Sequence, residues 1–283
     1  MSTTMTQHDL ARHFRQLHAP NADALLVLPN AWDAMSARLV EAAGASAIAT
    51  TSAGISWALG FPDGQGLTRE AMASAVRSIV HAVRLPVSAD VESGYGDGSP
   101  EAVAETVRAI VAAGAVGVNL EDSPGVNGAP LLDITSQTER FAAAREAAIA
   151  TGVDVFINAR IDTYLRKVGD EESRYDETVR RARAYVAAGA DGVFVPLAPV
   201  DVIAGLVAAV GAPLNVIAGP GSPSVAELRA LGVSRVSVGP GLARSVMAHI
   251  RASALELLGA GTYSTLAQQI ASPEANALFA ARD

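Results

Sequence analysis

The tetrapeptide Ala-Ala-Gly-Ala recurs in this chain, each time where a helical pattern gives way to a short apolar run. It occurs in Glu41-Ala-Ala-Gly-Ala-Ser-Ala-Ile48, in Val111-Ala-Ala-Gly-Ala-Val-Gly-Val118 and in Val186-Ala-Ala-Gly-Ala-Asp-Gly-Val193. Ala230-Leu-Gly-Val-Ser-Arg-Val236 is a looser copy. Glycine at such a place can end a helix in the left-handed conformation just before a strand begins. A junction that recurs implies a supersecondary unit that recurs. The apolar runs fall at 25–29, 46–51, 86–91, 116–121, 154–159, 191–196, 213–218 and 235–239, with helical patterns between them. Strands alternating with helices pair in parallel through right-handed crossovers, and eight such units close a (β/α)8 TIM barrel of the α/β class.

Two helix starts are legible. Ser99-Pro100-Glu101 offers an N-cap hydroxyl, a proline in the first turn and an acid at the positive end of the dipole, ahead of an apolar face of Val103, Val107, Ile110 and Val111. Thr68 opens another helix, with Met72, Val76, Ile79, Val80 and Val83 on its inner face. No linker rich in Gly, Ser or Pro separates domains, so residues 1–283 read as one barrel domain. Beyond the eighth strand, 242–258 and 263–281 are both helical in pattern, and 261–283 forms a C-terminal extension. A barrel needs one helix there; the surplus can pack on a neighbouring subunit or fold back on its own barrel.

Half of the 283 residues are hydrophobic, enough for a large core. A net charge of -8 argues against nucleic acid as a partner, because its binders present basic surface to phosphates. With no cysteine, disulfides, thiolate metal sites and a cysteine nucleophile are all excluded. Residues 1–18 lack the apolar core of a signal peptide, and no run is long enough to span a membrane. The expectation is a soluble cytoplasmic protein that binds neither nucleic acid nor membrane.

In a barrel of this type the site lies at the carboxyl ends of the strands. Standing there are Asn30, then Thr51 and Ser52, then Asp90 and Glu92, then Glu121 and Asp122, then Asn158 and Arg160. Asp90 and Glu92, two apart, share a face of their strand, and hard oxygen ligands on neighbouring strands suit Mg²⁺ or Mn²⁺. Arg160 ends an otherwise apolar strand, placed to grip a substrate carboxylate or offset developing charge. Thr51-Ser-Ala-Gly54 could turn amides toward an anion, and Asp63 is either a site acid or a turn residue. Asn215 either offers an amide to substrate or fills the barrel interior. The loops 219–224 and 239–241 are rich in glycine and proline, a weak phosphate signal. His8, His13, His18, His81 and His249 all fall away from the strand ends and read as surface residues. Without a histidine base, chemistry is left to carboxylates, hydroxyls, Tyr95, lysine or metal-bound water.

Read in order, Pro29-Asn-Ala-Trp-Asp33, Thr51-Ser-Ala-Gly54, Leu59-Gly-Phe-Pro-Asp63, Asp90-Val-Glu-Ser-Gly-Tyr-Gly96, Asn119-Leu-Glu-Asp122 and Asn158-Ala-Arg160 resemble the isocitrate lyase/phosphoenolpyruvate mutase superfamily over nearly the whole chain. That resemblance implies that Asp90, Glu92 and Glu121 hold Mg²⁺ directly or through water, with Asp63 nearby. It implies that the Thr51, Ser52 and Ala53 backbone binds a substrate carboxylate or phosphonyl group, and that Arg160 contacts the substrate. It further implies homotetramers that exchange their C-terminal helices. Two departures narrow the reaction. The lyases' mobile-loop Lys-Lys/Arg-Cys-Gly-His motif has no counterpart in 122–130, and Leu197 stands where the methylisocitrate type has glutamate. Glu92 also replaces the usual aspartate.

The expected activity is therefore a Mg²⁺-dependent lyase cleaving a C–C bond of a small 2-oxo or 2-hydroxy dicarboxylate through an enolate. The residues carrying it would be Arg160, Asp63, Glu121 and Tyr95, with Thr51, Ser52, Ala53, Asn158 and Asn215 binding substrate. The runner-up is P–C bond chemistry of the phosphoenolpyruvate mutase or phosphonopyruvate hydrolase type. A non-catalytic 2-oxo acid binding protein is the alternative from another class. Substrate selectors are expected in the loops at 122–135, 161–175 and 197–202.

Overall fold

The computed structural model describes residues 5–19, 25–124 and 130–280. Its strands are β1 (Leu26–Leu28), β2 (Asn30–Ala31), β3 (Ile48–Thr50), β4 (Val87–Asp90), β5 (Gly117–Glu121), β6 (Phe156–Arg160), β7 (Gly192–Phe194), β8 (Leu214–Ile217) and β9 (Arg235–Ser237). All neighbours pair in parallel, in the order β1-β9-β8-β7-β6-β5-β4-β3-β2. The first expected strand is split at Pro29, which has no N–H to give to a ladder. Its lower half, β1, pairs with β9, and its upper half, β2, pairs with β3. One interrupted strand thus brings the two edges of the sheet together, leaving eight strand positions around a barrel. Apart from β2, each strand lies inside its expected run, except that β6 continues one residue further, to Arg160.

The helices are α1 (Gln7–Leu17), α2 (Ala34–Ala42), α3 (Ser52–Ala58), α4 (Arg69–Ala82), α5 (Pro100–Ala112) and α6 (Ile134–Ala150). There follow α7 (Glu171–Ala187), α8 (Val200–Val210), α9 (Val225–Ala230), α10 (Gly241–Gly259) and α11 (Ser272–Leu278). The recurrent junction glycines Gly44, Gly114, Gly189 and Gly232 have φ of 92°, 99°, 111° and 85°, the left-handed turn that lets a helix end and a strand begin five or six residues later. Space enforces the choice as well. A Cβ on Gly114 would lie 2.7 Å from Val80 Cγ1, and one on Gly232 2.9 Å from Val207 Cγ1.

The helix starts are made as the sequence implies. Ser99 Oγ accepts from the Ala102 amide at 3.2 Å, and Thr68 Oγ1 from the Ala71 amide at 3.2 Å. Val103, Val107, Ile110 and Val111 are buried, as are Met72, Val76 and Ile79, whereas Val80 and Val83 sit half-buried at the edge of their face.

At the end of the barrel away from the strand carboxyl ends, α1 lays Phe14 against Phe156, ring centroids 5.7 Å apart. His18 corrects the expectation of a surface histidine. It is 3% exposed, stacks on Phe156 at 3.9 Å, and burial holds its imidazole neutral with a pKa pushed down to about 3. The other four are exposed or half-buried.

The C-terminal extension also differs from expectation. Instead of one helix over 263–281 there is a short 3₁₀ turn, Ser264–Leu266, and then α11, which starts with Pro273 in its first turn. Proline disfavours helix in the residue before it, so one continuous helix could not pass this point; residue 281 lies outside the described residues. Arg38 donates from Nε to the Leu278 carbonyl at 2.6 Å, tying α11 to α2 of the same chain. The preceding helix, α10, stands largely in solvent with Leu242, Met247, Ile250 and Leu258 exposed. Among the described residues no helix is long and apolar enough to cross a membrane.

Candidate active site

Side chains two apart on a strand share a face, and three neighbouring strands use this to stack polar groups inside the barrel. Ser88 and Asp90 on β4, Asn119 and Glu121 on β5, and Asn158 and Arg160 on β6 occupy alternate positions. The register sets Asp90 beside Asn119 and Asn119 beside Asn158. Their side chains bond in the same sequence. Asn119 Nδ2 donates to Asp90 Oδ1 at 3.1 Å, and Asn158 Nδ2 to Asn119 Oδ1 at 3.0 Å. Asn158 Nδ2 also approaches Asn215 Oδ1 at 3.4 Å, and Asn215 Nδ2 donates to Ser237 Oγ at 3.2 Å. A belt of amides therefore runs from β4 to β9 and fixes the orientation of Asp90.

Asp90 is held from its other side by the turn into α3. Thr51 is the N-cap of that helix, and Ser52 donates to Asp90 Oδ2 from its amide at 3.1 Å and its hydroxyl at 2.7 Å. The expected anion cradle thus has one of its amides engaged by a protein carboxylate. Thr50 Oγ1 accepts from the Asp90 amide at 2.8 Å.

A cavity of about 510 Å³ opens at the carboxyl ends of the strands. Of the residues expected from sequence, it is lined by Asp63, Asp90, Arg160, Thr51, Ser52, Ala53 and Asn215. The glycine and proline loops contribute Gly219, Pro220, Gly239 and Pro240, and the expected selector loops contribute Leu165 and Leu197. Residues 125–129 of the selector loop at 122–135 lie outside the described residues.

Glu92, Glu121, Asn158 and Tyr95 stand one layer behind the wall. Glu121 Oε2 lies 2.8 Å from Arg160 Nη1, while Arg160 Nε and Nη2 grip the two oxygens of Asp162 at 2.7 and 3.0 Å. Glu92 accepts from the Tyr95 hydroxyl at 3.1 Å and from the Gln65 amide. Tyr95, expected among the reacting groups, is 2% exposed and gives its hydroxyl to Glu92.

The backbone around these acids is strained. Glu92 has φ 52° and Tyr95 φ 56°, with Gln65 at 61° and Leu197 at 58° on the facing loops. Side chains of this size adopt that region at about 1–3 kcal/mol each. Charge is crowded too. Burial and then the Asp90 charge push Glu92 up to about 7, and the same two causes raise Asp63 at the rim. Burial pushes Glu121 up, with Asp162, Asp90 and Glu92 adding to it, and only Arg160 opposes. That guanidinium keeps its proton, because Glu121 and Asp162 outweigh the burial that would loosen it.

This donor set fits a hard divalent ion. Every candidate ligand is a carboxylate oxygen, and these acids are raised first by burial and then by one another. Among the described residues no three Asp, Glu, His or Cys side chains stand close enough to hold an ion alone. Mg²⁺, which keeps several waters and takes one or two carboxylates plus substrate oxygens, suits such a half-built site. Asp90 on the cavity wall would be its direct ligand, with Glu92 and Glu121 reached through water.

Sequence reasoning passed over three contributors to the site. Asn119 shares the face of Glu121, so period two on β5 would have found it. Asp162, 0% exposed, is two residues beyond Arg160 and carries no motif of its own. Arg235 at the start of β9 also lines the cavity, and its signal was a lone charge in an apolar run.

The profile of the phosphoenolpyruvate phosphomutase family matches residues 14–258. An uncharacterized protein of Mycobacterium tuberculosis (strain ATCC 25618 / H37Rv) is 42% identical over 229 residues, 80% of this chain and 81% of its own. The 2-methylisocitrate lyase of Bacillus subtilis (strain 168) is 31% identical over 195 residues, 67% of this chain and 60% of that enzyme. Among solved structures, oxaloacetate acetylhydrolase in complex with its product oxalate superposes with a TM-score of 0.82 at 25% identity, covering 95% of this chain and 93% of that one.

Proposed function

This chain belongs to the phosphoenolpyruvate phosphomutase family, within the isocitrate lyase/phosphoenolpyruvate mutase superfamily, and we propose that it is a Mg²⁺-dependent lyase that breaks a C–C bond of a small 2-oxo or 2-hydroxy dicarboxylate. The observation that carries this reading is the single cavity lined by both Asp90 and Arg160, with Glu121 behind the latter. A divalent ion held at Asp90 supplies a Lewis acid for the substrate's carboxylate and 2-oxygen.

The chain's own residues do the rest. Ser52 and Asn119 fix both oxygens of Asp90, so the carboxylate meets its ligand already oriented. Glu121 and Asp162 clamp Arg160 so that its guanidinium faces the cavity without reorganising when negative charge develops on substrate. Thr51 and Ala53 border the place where a substrate carboxylate would lie. Leu197 leaves that part of the wall apolar, which fits a substrate shorter than a tricarboxylate. The exposed apolar face of α10 supports self-association, which we read as a homotetramer with α10 packed between subunits. P–C cleavage is the second reading, favoured by the description of the family itself.

The test is release of pyruvate or CO₂ from oxaloacetate, and of phosphate from phosphonopyruvate, with and without Mg²⁺. Metal-dependent turnover of oxaloacetate is expected, and Glu121→Gln should lower it by roughly 10²–10³ by releasing Arg160. Wild-type rates in that variant would refute the assigned site. Tight binding of small 2-oxo and 2-hydroxy dicarboxylates with no turnover of any would refute the lyase.

A further inference from the structure

The cavity does not end at the acids. It continues down the barrel axis to the amino-terminal end of β9, where Arg235 lies against its wall, 3% exposed. Neither Nε nor Nη1 of this guanidinium has a hydrogen-bond partner among the described residues. The hydroxyl of Ser88, 1% exposed and lining the same cavity, is also without one. Asn215 and Ser237, which flank Arg235 by register and by strand face, are bonded to each other and leave it alone.

A buried guanidinium stays charged, and without a counter-charge its desolvation amounts to several kcal/mol. Among the described residues Asp90 is the one group whose charge supports it, and burial still draws its pKa down to about 10. From below, His18 is neutral and gives it nothing. Barrel interiors are ordinarily filled by packed apolar layers. Here an unpaired cation and an unpaired hydroxyl border an open cavity instead.

We propose that Arg235, with Ser88 beside the same cavity, binds an anionic group of the ligand, so that the substrate is a small dianion with one end at Asp90 and Arg160 and the other on the barrel floor. This rests on the lyase reading for the identity of the first end only. The chemical class is a dicarboxylate or a carboxylate bearing a phosphonate, whose second anion meets the guanidinium where it lines the cavity wall.

Binding of succinate and of its monoamide, measured by calorimetry with the wild-type protein and with Arg235→Met, tests this without turnover. Wild type should bind succinate at least tenfold more tightly than the monoamide. Arg235→Met should lose that margin on succinate while binding the monoamide as before. The variant's unliganded melting temperature should equal or exceed that of wild type, because an uncompensated buried charge has been removed. Unchanged succinate affinity in the variant would overturn the proposal. A markedly lower unliganded melting temperature would do so too, by showing that Arg235 is a structural group. Arg235-dependent binding without turnover of any 2-oxo acid would refute the lyase and leave the subsite standing; normal turnover by Arg235→Met would do the reverse.

Discussion

Glu121 and Asp122 are neighbours in the chain and opposites in their surroundings. Successive residues of a strand point to opposite faces, so Glu121 turns into the barrel mouth and Asp122 outward, under α7. Asp122 is 0% exposed and fully partnered. Its Oδ1 accepts from the Asp162 amide at 3.0 Å, and its Oδ2 from Arg181 at 3.1 Å and the Tyr185 hydroxyl at 3.0 Å. Arg181 in turn meets Glu177 at 2.7 Å and the Leu132 carbonyl at 2.8 Å. The acids around the mouth share one well-placed guanidinium among Glu121 and Asp162, and Asp90 and Asp63 face open space. Satisfied charge of the first kind holds helices to the sheet. Crowded charge of the second kind is left for a ligand to complete.

The comparison sharpens first on stability. Asp122→Asn should destabilise the protein by about 3 kcal/mol, read from urea unfolding, because Arg181 and Tyr185 are left buried against a neutral amide. Turnover per folded molecule should stay near wild type, since nothing at Asp122 reaches the cavity. A stable but inactive variant would erase the distinction between the two clusters.

A smaller effect follows from protonation at the mouth. Burial and the Asp90 charge push Glu92 up to about 7 in the folded chain against a usual value of 4.5, so the native state binds more protons than the unfolded chain between those values. Stability contributed by the neutral carboxyl is complete below about pH 4.5 and is lost as pH rises through 7, a change of about 1–3 kcal/mol. Metal-free wild-type protein should therefore melt progressively lower from pH 5 to 7.5, and Glu92→Gln should flatten that slope. Added Mg²⁺ should raise the wild-type melting temperature more at pH 8 than at pH 5. A slope unchanged in Glu92→Gln would place the crowding elsewhere.

How much of this could be read in the chain itself depended on whether the feature was local. The junction glycines are local: a helix end, a left-handed residue and a strand start lie within seven residues, so the barrel was legible from four copies of one turn. The N-caps at Ser99 and Thr68 were legible for the same reason. Asp90, Glu121 and Arg160 could be placed together because each ends a strand of the barrel. Asp122 was not separable from Glu121 by composition, and only the alternation of faces, combined with α7 packing outside, decides it. Arg235 was missed because nothing in Ser-Arg-Val-Ser says that the arginine points inward and finds no acid. That fact belongs to the closed barrel. The break before α11 was readable in Pro273, which a periodicity count over 263–281 had outweighed.

The central claim is that acids at the mouth of the barrel await a divalent ion, with Asp90 as its direct ligand. Titration of Mn²⁺ into the protein, followed by electron paramagnetic resonance, tests it most directly. One ion should bind per chain to wild type and to Asp122→Asn, and none to Asp90→Asn. Equal binding by Asp90→Asn and wild type would contradict the account.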